Sequence, residues 1–206
     1  MGAPPLEKGG VRGIFLELIL VSLQGVHLMK VVAICGSHRK GNTEWMLNKL
    51  LERVAENGAE VELILLRKAN IKMCLGCLKC EEGGKDRKGI CKMRDDMNAI
   101  YPKLLAADCL VCGTPAYFDL LSGLLKNFLD RTCAIWPSLK GKPMAGVAVA
   151  EEGIGQAINN LKAYAALCGM PWVGSVTGLA KNAGDIAQNK QVTRRLIKLA
   201  DKITSR

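Results

Sequence analysis

The stretch Lys30-Val-Val-Ala-Ile-Cys35, followed directly by Gly36-Ser-His-Arg-Lys-Gly-Asn-Thr43, decides the fold. A continuous apolar run bounded by turn residues is the pattern of a strand covered on both faces, as in a parallel sheet, whereas a strand with one wet face alternates. Beyond the loop, Trp45, Met46, Leu50, Leu51 and Val54 fall close to helical spacing and Asn57-Gly58 supplies a stop, so Asn42 to Asn57 reads as a helix. Glu60 to Leu66 follows as a second strand. Strand, loop, helix and strand in that order form the unit from which parallel α/β sheets are built.

The alternation continues. Asp95 to Ala106 reads as a helix, Asp108-Cys-Leu-Val-Cys112 as a third strand that ends at Gly113-Thr-Pro115, and Ser122 to Cys133 as a helix. Lys142 to Ala150, Gly155 to Cys168, Pro171 to Thr177 and Gly184 to Thr204 read in turn as strand, helix, strand and helix. Five strands and five helices, with no repeat, low-complexity tract or linker after Met29, imply one doubly wound α/β domain over 29–206 with helices on both faces. Residues 1–28 carry an apolar run, Ile14 to Leu23, with Glu17 inside it. That run is too short to span a bilayer and has no small-residue cleavage site after it, so no stable membrane insertion is expected. Residues 1–28 read as an N-terminal extension, disordered or a mis-assigned start.

Of 206 residues, 49% are hydrophobic and 23% charged, enough to bury a core and give a soluble globular domain. Nine cysteines, an odd number with no secretory signal, point to a reducing, cytoplasmic setting in which thiols ligate metals or react and do not build a disulfide framework. The net charge of +10 raises the question of nucleic acid. The basic residues are dispersed, however, and aromatics make up only 4% of the chain, so there is no stacking platform and no nucleic acid partner is expected. An anionic small molecule or an acidic electron-carrier protein suits the charge equally well.

In a doubly wound sheet, ligands bind beyond the carboxyl ends of the strands. Three loops lie there. The first, Gly36 to Thr43, offers hydroxyls, an amide, backbone N–H groups and a helix N-terminus, all suited to a phosphate dianion. It matches neither Gly-x-Gly-x-x-Gly nor a Walker loop, so a monophosphate is favoured over a pyrophosphate. His38 in that loop suits solvent or a phosphate contact better than acid–base catalysis. The second loop, Gly113-Thr-Pro-Ala-Tyr-Phe118, places two aromatic faces at a strand's end, where a planar ligand would stack. The third, Ala150-Glu-Glu-Gly-Ile-Gly-Gln156, has glycines that allow close backbone approach to a ring edge.

A fourth feature carries its own chemistry. Cys74-Leu-Gly-Cys77-Leu-Lys-Cys80 puts three thiols in seven residues, and Cys91 follows after a polar insert of ten. This spacing suits an iron–sulfur cluster held by four thiolates. Zinc and free redox thiols remain alternatives, although structural zinc usually takes two separated pairs. Cys109 and Cys112 point to opposite faces of a strand and read as core, as do Cys35, Cys133 and Cys168. Asp95 and Asp96 read as features of a helix N-terminus.

Gly36-Ser-His-Arg-Lys-Gly-Asn-Thr43, Gly113-Thr-Pro-Ala-Tyr-Phe118, Ser122-Gly-Leu-Leu-Lys126 and Asp130-Arg131 resemble the NADPH-dependent FMN reductase superfamily of flavodoxin-like proteins. With the cysteine motif added, the chain is similar to the iron–sulfur flavoproteins, which carry FMN and a 4Fe-4S cluster. The resemblance implies a five-stranded parallel sheet of order 2-1-3-4-5. It implies that Ser37, Arg39, Asn42 and Thr43 hold the FMN phosphate and that Gly41 permits the turn. Thr114, Pro115, Ala116, Tyr117 and Phe118 would line the isoalloxazine ring and ribityl chain, with Glu151, Glu152 and Gly153 in the third flavin loop. Cys74, Cys77, Cys80 and Cys91 would bind the cluster in a cysteine-rich loop over 74–91. In the relatives four to seven residues precede the fourth cysteine, against ten here. Loop closure grows only logarithmically with length, which keeps four-cysteine ligation open.

The function so implied is electron transfer between a ferredoxin or NAD(P)H donor and an acceptor, by a homodimer or homotetramer, with Ala134 to Leu139 as a contact segment. A cluster-free NAD(P)H-dependent FMN or quinone reductase, and a zinc-stabilised binding module, are the alternatives.

Overall fold

A computed structural model describes residues 28–82, 89 and 91–205. The expected extension lies outside them apart from Leu28, as does most of the polar insert before Cys91.

Strand β1 (Lys30–Cys35) is buried from Val31 onward because its side chains supply two cores in alternation. Val31, Ala33 and Cys35 enter one cluster, Val32 and Ile34 the other. β2 (Glu60–Leu65) and β3 (Cys109–Tyr117) flank it, both parallel to it. β5 (Met144–Ala150) and β6 (Trp172–Leu179) extend the sheet in the order β2-β1-β3-β5-β6. Helices α1 (Asn42–Glu56) and α5 (Lys190–Thr204) bury Met46, Leu50, Leu196 and Ile203 in the cluster that holds Val31. The opposite face is covered by α2 (Met97–Ala106), α3 (Gly123–Arg131) and α4 (Ala157–Leu167), which contribute Leu104, Phe128 and Leu161. Cys109 falls in the first cluster and Cys112 in the second, as strand geometry requires.

The five parallel strands take the expected order, but a sixth strand corrects the five-stranded expectation. β4 (Leu120–Leu121) runs antiparallel to the end of β3, with Tyr117 opposite Leu120. The two residues between them, Phe118 (φ 50°) and Asp119 (φ 63°), are both left-handed, which is the geometry of a tight two-residue hairpin turn. Asn-Gly normally announces such a turn, and Phe-Asp does not. β3 also runs on to Tyr117, past the expected end. Its ladder with β1 stops at Gly113, so Pro115 lies where that side of β3 has no β1 partner for a missing N–H to disturb.

The last helix starts later than the sequence suggests. Gly184 is left-handed (φ 95°), a short 3-10 turn covers Asp185–Gln188, and Asn189 caps α5 by accepting from the N–H groups of Gln191 and Val192. In the expected contact segment, Ala134, Ile135 and Leu139 are core residues, and Trp136 is its large exposed apolar side chain.

Candidate functional site

The sheet order reverses between β1 and β3, so the crevice past their carboxyl ends is where a doubly wound sheet receives a ligand. Three hydrogen bonds lock the two ends together. Gly36 N–H donates to the Gly113 carbonyl (2.8 Å), the Ser122 hydroxyl donates to the Gly36 carbonyl (2.6 Å), and Ser122 N–H donates to the Thr114 hydroxyl (2.9 Å). A Cβ at Gly36 would lie 2.5 Å from Leu125 Cβ, so no side chain fits there. Ser122 is fully buried and also caps α3 by accepting from Leu125 N–H at 3.2 Å. The sequence reading missed Gly36 and Ser122 as site residues. A glycine directly after a buried strand and a serine opening a helix were the available signals.

Within the first loop, the buried Ser37 hydroxyl donates to the Arg39 carbonyl (2.8 Å) and accepts from Arg39 N–H (3.3 Å), folding the loop over itself. Arg39 is exposed. Asn42, expected to hold a phosphate, has both ends of its amide engaged elsewhere. Its Nδ2 donates to the Asn182 carbonyl (2.7 Å) and its Oδ1 accepts from Gly184 N–H (2.8 Å). Thr43 is buried beside it. Gly41 has extended backbone (φ 179°), and a Cβ there would meet only Ala183 at 3.9 Å, so the turn does not require glycine at that position. Among the described residues no side chain caps α1, so its first-turn N–H groups face the loop without a capping partner. The loop's capacity for an anion therefore rests on these N–H groups, the helix dipole and Arg39.

The second loop meets the first where the His38 and Tyr117 rings lie 6.4 Å apart. Thr114 is buried, Pro115 and Ala116 are partly so, Tyr117 is 44% exposed, and Phe118 is fully exposed on its left-handed backbone. A bulky residue in that region is a genuine outlier, and such strain clusters at functional sites. In the third loop it is Gly155 (φ 50°), not Gly153, that makes the close approach, and its neighbour is the hairpin. A Cβ at Gly155 would fall 2.3 Å from Asp119 Cβ, and Gln156 N–H donates to the Asp119 carbonyl at 2.6 Å. Gly153, Glu151 and Glu152 are exposed, and Glu151 pairs with Lys181 at 3.0 Å.

The cysteine segment leaves the same end of the molecule. Cys74 and Cys77 are exposed, and Cys80 and Cys91 are half-buried against the core. A left-handed residue sits inside each Cys-x-x-Cys interval, Gly76 (φ 60°) and Leu78 (φ 57°), so the backbone follows neither helix nor strand. Among the described residues, no three metal-binding side chains are positioned to hold an ion.

The base of the segment is clamped. Asp96 accepts from Asn70 N–H (2.7 Å), Asn127 donates to the Ile71 carbonyl (3.0 Å), and Asp95 accepts from Lys72 N–H (3.0 Å). Arg131, at the end of α3, joins these parts. Its Nη1 donates to Asp95 Oδ2 (2.5 Å) and to the Lys72 carbonyl (2.7 Å), and its Nη2 donates to Asp95 Oδ1 (3.0 Å) and to Cys91 Sγ (3.6 Å). The two side chains are 1% and 0% exposed. Burial opposes ionisation of Asp95, but the Arg131 guanidinium and the Lys72 and Met97 N–H groups outweigh it and hold the carboxyl below its ordinary range. Asp95 and Asp96 are thus anchors of the cysteine segment as well as neighbours of a helix start. A guanidinium has five N–H donors, and four are engaged here. The fifth, on Nε, is buried with no protein partner among the described residues. A soft four-thiol donor set beside a fixed cation with an open N–H fits an anionic thiolate-ligated group.

The sequence places Cys133 in the core, yet it is half-buried, and its thiol donates to Glu81 Oε1 at 3.2 Å. Burial pushes it up to about 12, with Glu81 and Cys80 acting in the same direction. A groove of about 850 Å³ opens beside it, between α3 and α4, lined by Leu120, Leu129, Trp136, Tyr164 and Leu167. None of its lining residues comes from β1, β3 or the first loop.

The profile of the family described as NADPH-dependent FMN reductase matches residues 29–185. An iron–sulfur flavoprotein of Archaeoglobus fulgidus is 40% identical over 104 residues, which are 50% of this chain and 49% of that protein. A second iron–sulfur flavoprotein of the same organism is 31% identical over 189 residues, 86% of this chain and 82% of that one. The chain therefore spans about half the length of the first relative and most of the second. A solved archaeal flavodoxin superposes with a TM-score of 0.59 at 14% identity, covering 86% of this chain and 97% of its own, which shows the fold. No helix among the described residues is long and apolar enough to cross a membrane. With a flavodoxin-like sheet, a locked β1–β3 crevice and a profile match across most of its length, this chain belongs to the NADPH-dependent FMN reductase family of oxidoreductases.

Proposed function

We propose that the protein binds FMN in the β1–β3 crevice and a 4Fe-4S cluster at Cys74, Cys77, Cys80 and Cys91, and moves electrons between a ferredoxin or NAD(P)H donor and an acceptor. The observation that carries this reading is that one helix, α3, supports both places. Its cap Ser122 holds Gly36 at the crevice, and its last residue, Arg131, holds Cys91. The nine residue steps from Ser122 to Arg131 put the two supports about 13 Å apart, at ~1.5 Å per residue.

FMN supplies transfer of two electrons as hydride or of one at a time, and a cluster transfers one. The chain's own part is to bind and orient. The uncapped start of α1 and Arg39 take the phosphate, Gly36 lets Leu125 and Ser122 of the α3 start pack against the loop, and Tyr117 and Phe118 offer ring faces to the isoalloxazine. No side chain is assigned as acid or base.

Protein isolated without oxygen is expected to contain one FMN with about four iron and four sulfide per chain. Replacing Cys74, Cys77 or Cys80 by Ser should abolish the cluster absorbance and leave FMN bound. Full iron content in all three variants overturns the ligand assignment. A cluster-free NAD(P)H-dependent FMN or quinone reductase is the second reading, supported by the family profile over residues 29–185. FMN without iron in anaerobically isolated protein would establish it.

A further inference from the structure

We propose that Arg131 sets the reduction potential of the cluster by donating a charge-assisted hydrogen bond to the sulfur of Cys91. This assignment rests on the cluster reading above. The contact is Nη2 to Cys91 Sγ at 3.6 Å, from a guanidinium that is 1% exposed and therefore not screened by water. Its terminal nitrogens and its backbone are held by other partners. Asp95 takes one N–H from each terminal nitrogen, the Lys72 carbonyl takes another, and the backbone of Arg131 itself is tied by Tyr101, whose hydroxyl donates to its carbonyl at 2.8 Å. The N–H left over for sulfur is thus aimed by the fold, and the Nε–H, without a protein partner among the described residues, adds a second donor on the same buried cation.

An electron added to a thiolate-ligated cluster raises its negative charge. A positive charge and N–H donors at a ligand sulfur favour that state, and hydrogen bonds to sulfur are among the levers that set cluster potentials. Asp95 works against this, because its carboxylate offsets the guanidinium from the far side. Arg131 is thus a positioning and tuning residue and takes no part in electron transfer itself. A purely structural clamp predicts that its replacement changes stability and leaves the potential alone.

The test compares wild type, Arg131→Lys and Asp95→Asn, each FMN-loaded and reconstituted without oxygen with ferrous iron and sulfide. Iron and sulfide content are measured first, and the cluster is then titrated with dithionite and mediators. An ammonium on the lysine stem cannot engage Asp95 in bidentate fashion and still reach Cys91. Arg131→Lys should therefore lower the equilibrium constant for cluster reduction at least tenfold, about 59 mV for one electron. Asp95→Asn, which leaves the guanidinium on Cys91, should shift it the opposite way. A loaded Arg131→Lys cluster at the wild-type potential overturns the assignment. Should that variant fail to fold or load, an unshifted Asp95→Asn cluster overturns it equally. Wild type that takes up no iron overturns the cluster reading and this inference together, whereas an unshifted potential in a loaded variant overturns only the inference.

Discussion

The phosphate loop and the cysteine segment leave the same sheet but are held in opposite ways. From Gly36 to Thr43 the loop is tied to the protein at several points, while the helix N–H groups and the Arg39 side chain are left open. Gly36 is bonded at both its N–H and its carbonyl, Ser37 closes on Arg39, and Asn42 ties the loop to residues 182–184. Among its described residues the cysteine segment is clamped at Asn70 to Lys72 and at Cys91 to Asp96 and touched at Glu81 by Cys133, whereas Met73, Cys74, Leu75, Cys77 and Leu78 are exposed. The first region is built before its ligand arrives. The second does not gather its thiols, so any metal group bound there would have to draw them together, with some of its binding free energy going into that ordering.

The contrast can be broken most forcefully at Arg131. Arg131→Ala leaves Asp95 buried without its partner, which should destabilise the fold by about 3–5 kcal/mol in denaturant titration. A loss below about 1 kcal/mol would mean that the pair is not what anchors the segment. Acid offers a milder probe of the same anchor. Because the folded-state pKa of Asp95 is depressed, its contribution is fully present above the ordinary carboxyl value of about 3.9 and is lost as pH falls through the lower folded value. Arg131 stays charged throughout, so no matching alkaline edge arises. Asp95→Asn should flatten the stability profile below about pH 4, and an unchanged profile would place the acid-sensitive group elsewhere.

The smallest effects sharpen the contrast inside the phosphate loop. Gly36→Ala forces a Cβ into Leu125 and should cost about 1–3 kcal/mol together with FMN affinity. Gly41→Ala meets only Ala183 at 3.9 Å on extended backbone and should change stability by less than about 0.5 kcal/mol. Thermal melts with FMN titration separate the two, and equal losses would show that the loop is less preformed than its hydrogen bonds imply.

What the sequence made legible follows the range of the interactions involved. The buried β1 run, the helical spacing of α1 and the βα alternation are local patterns, and they carried the parallel sheet. The hairpin at Phe118-Asp119 was local too but lacked its signal, because the left-handed turn is imposed on residues that do not favour it. The rest depended on partners far along the chain. Asp95 and Arg131 are 36 residues apart, Asn42 and Asn182 are 140 apart, and Glu81 and Cys133 are 52 apart. The cysteine spacing named candidate ligands, but nothing in it disclosed the guanidinium beside Cys91 or the thiol of Cys133 beside Glu81.

The sorting of thiols by depth fixes how the protein should age in air. Cys35, Cys109, Cys112 and Cys168 are sealed in the two cores, and burial pushes the Cys112 thiol up to about 12, far from the reactive thiolate. Oxidants will reach Cys74 and Cys77 first, on a segment that contributes little to the sheet. An old preparation should therefore keep its circular dichroism and its yellow colour after any brown has gone, so a well-folded sample is no guarantee of an intact one.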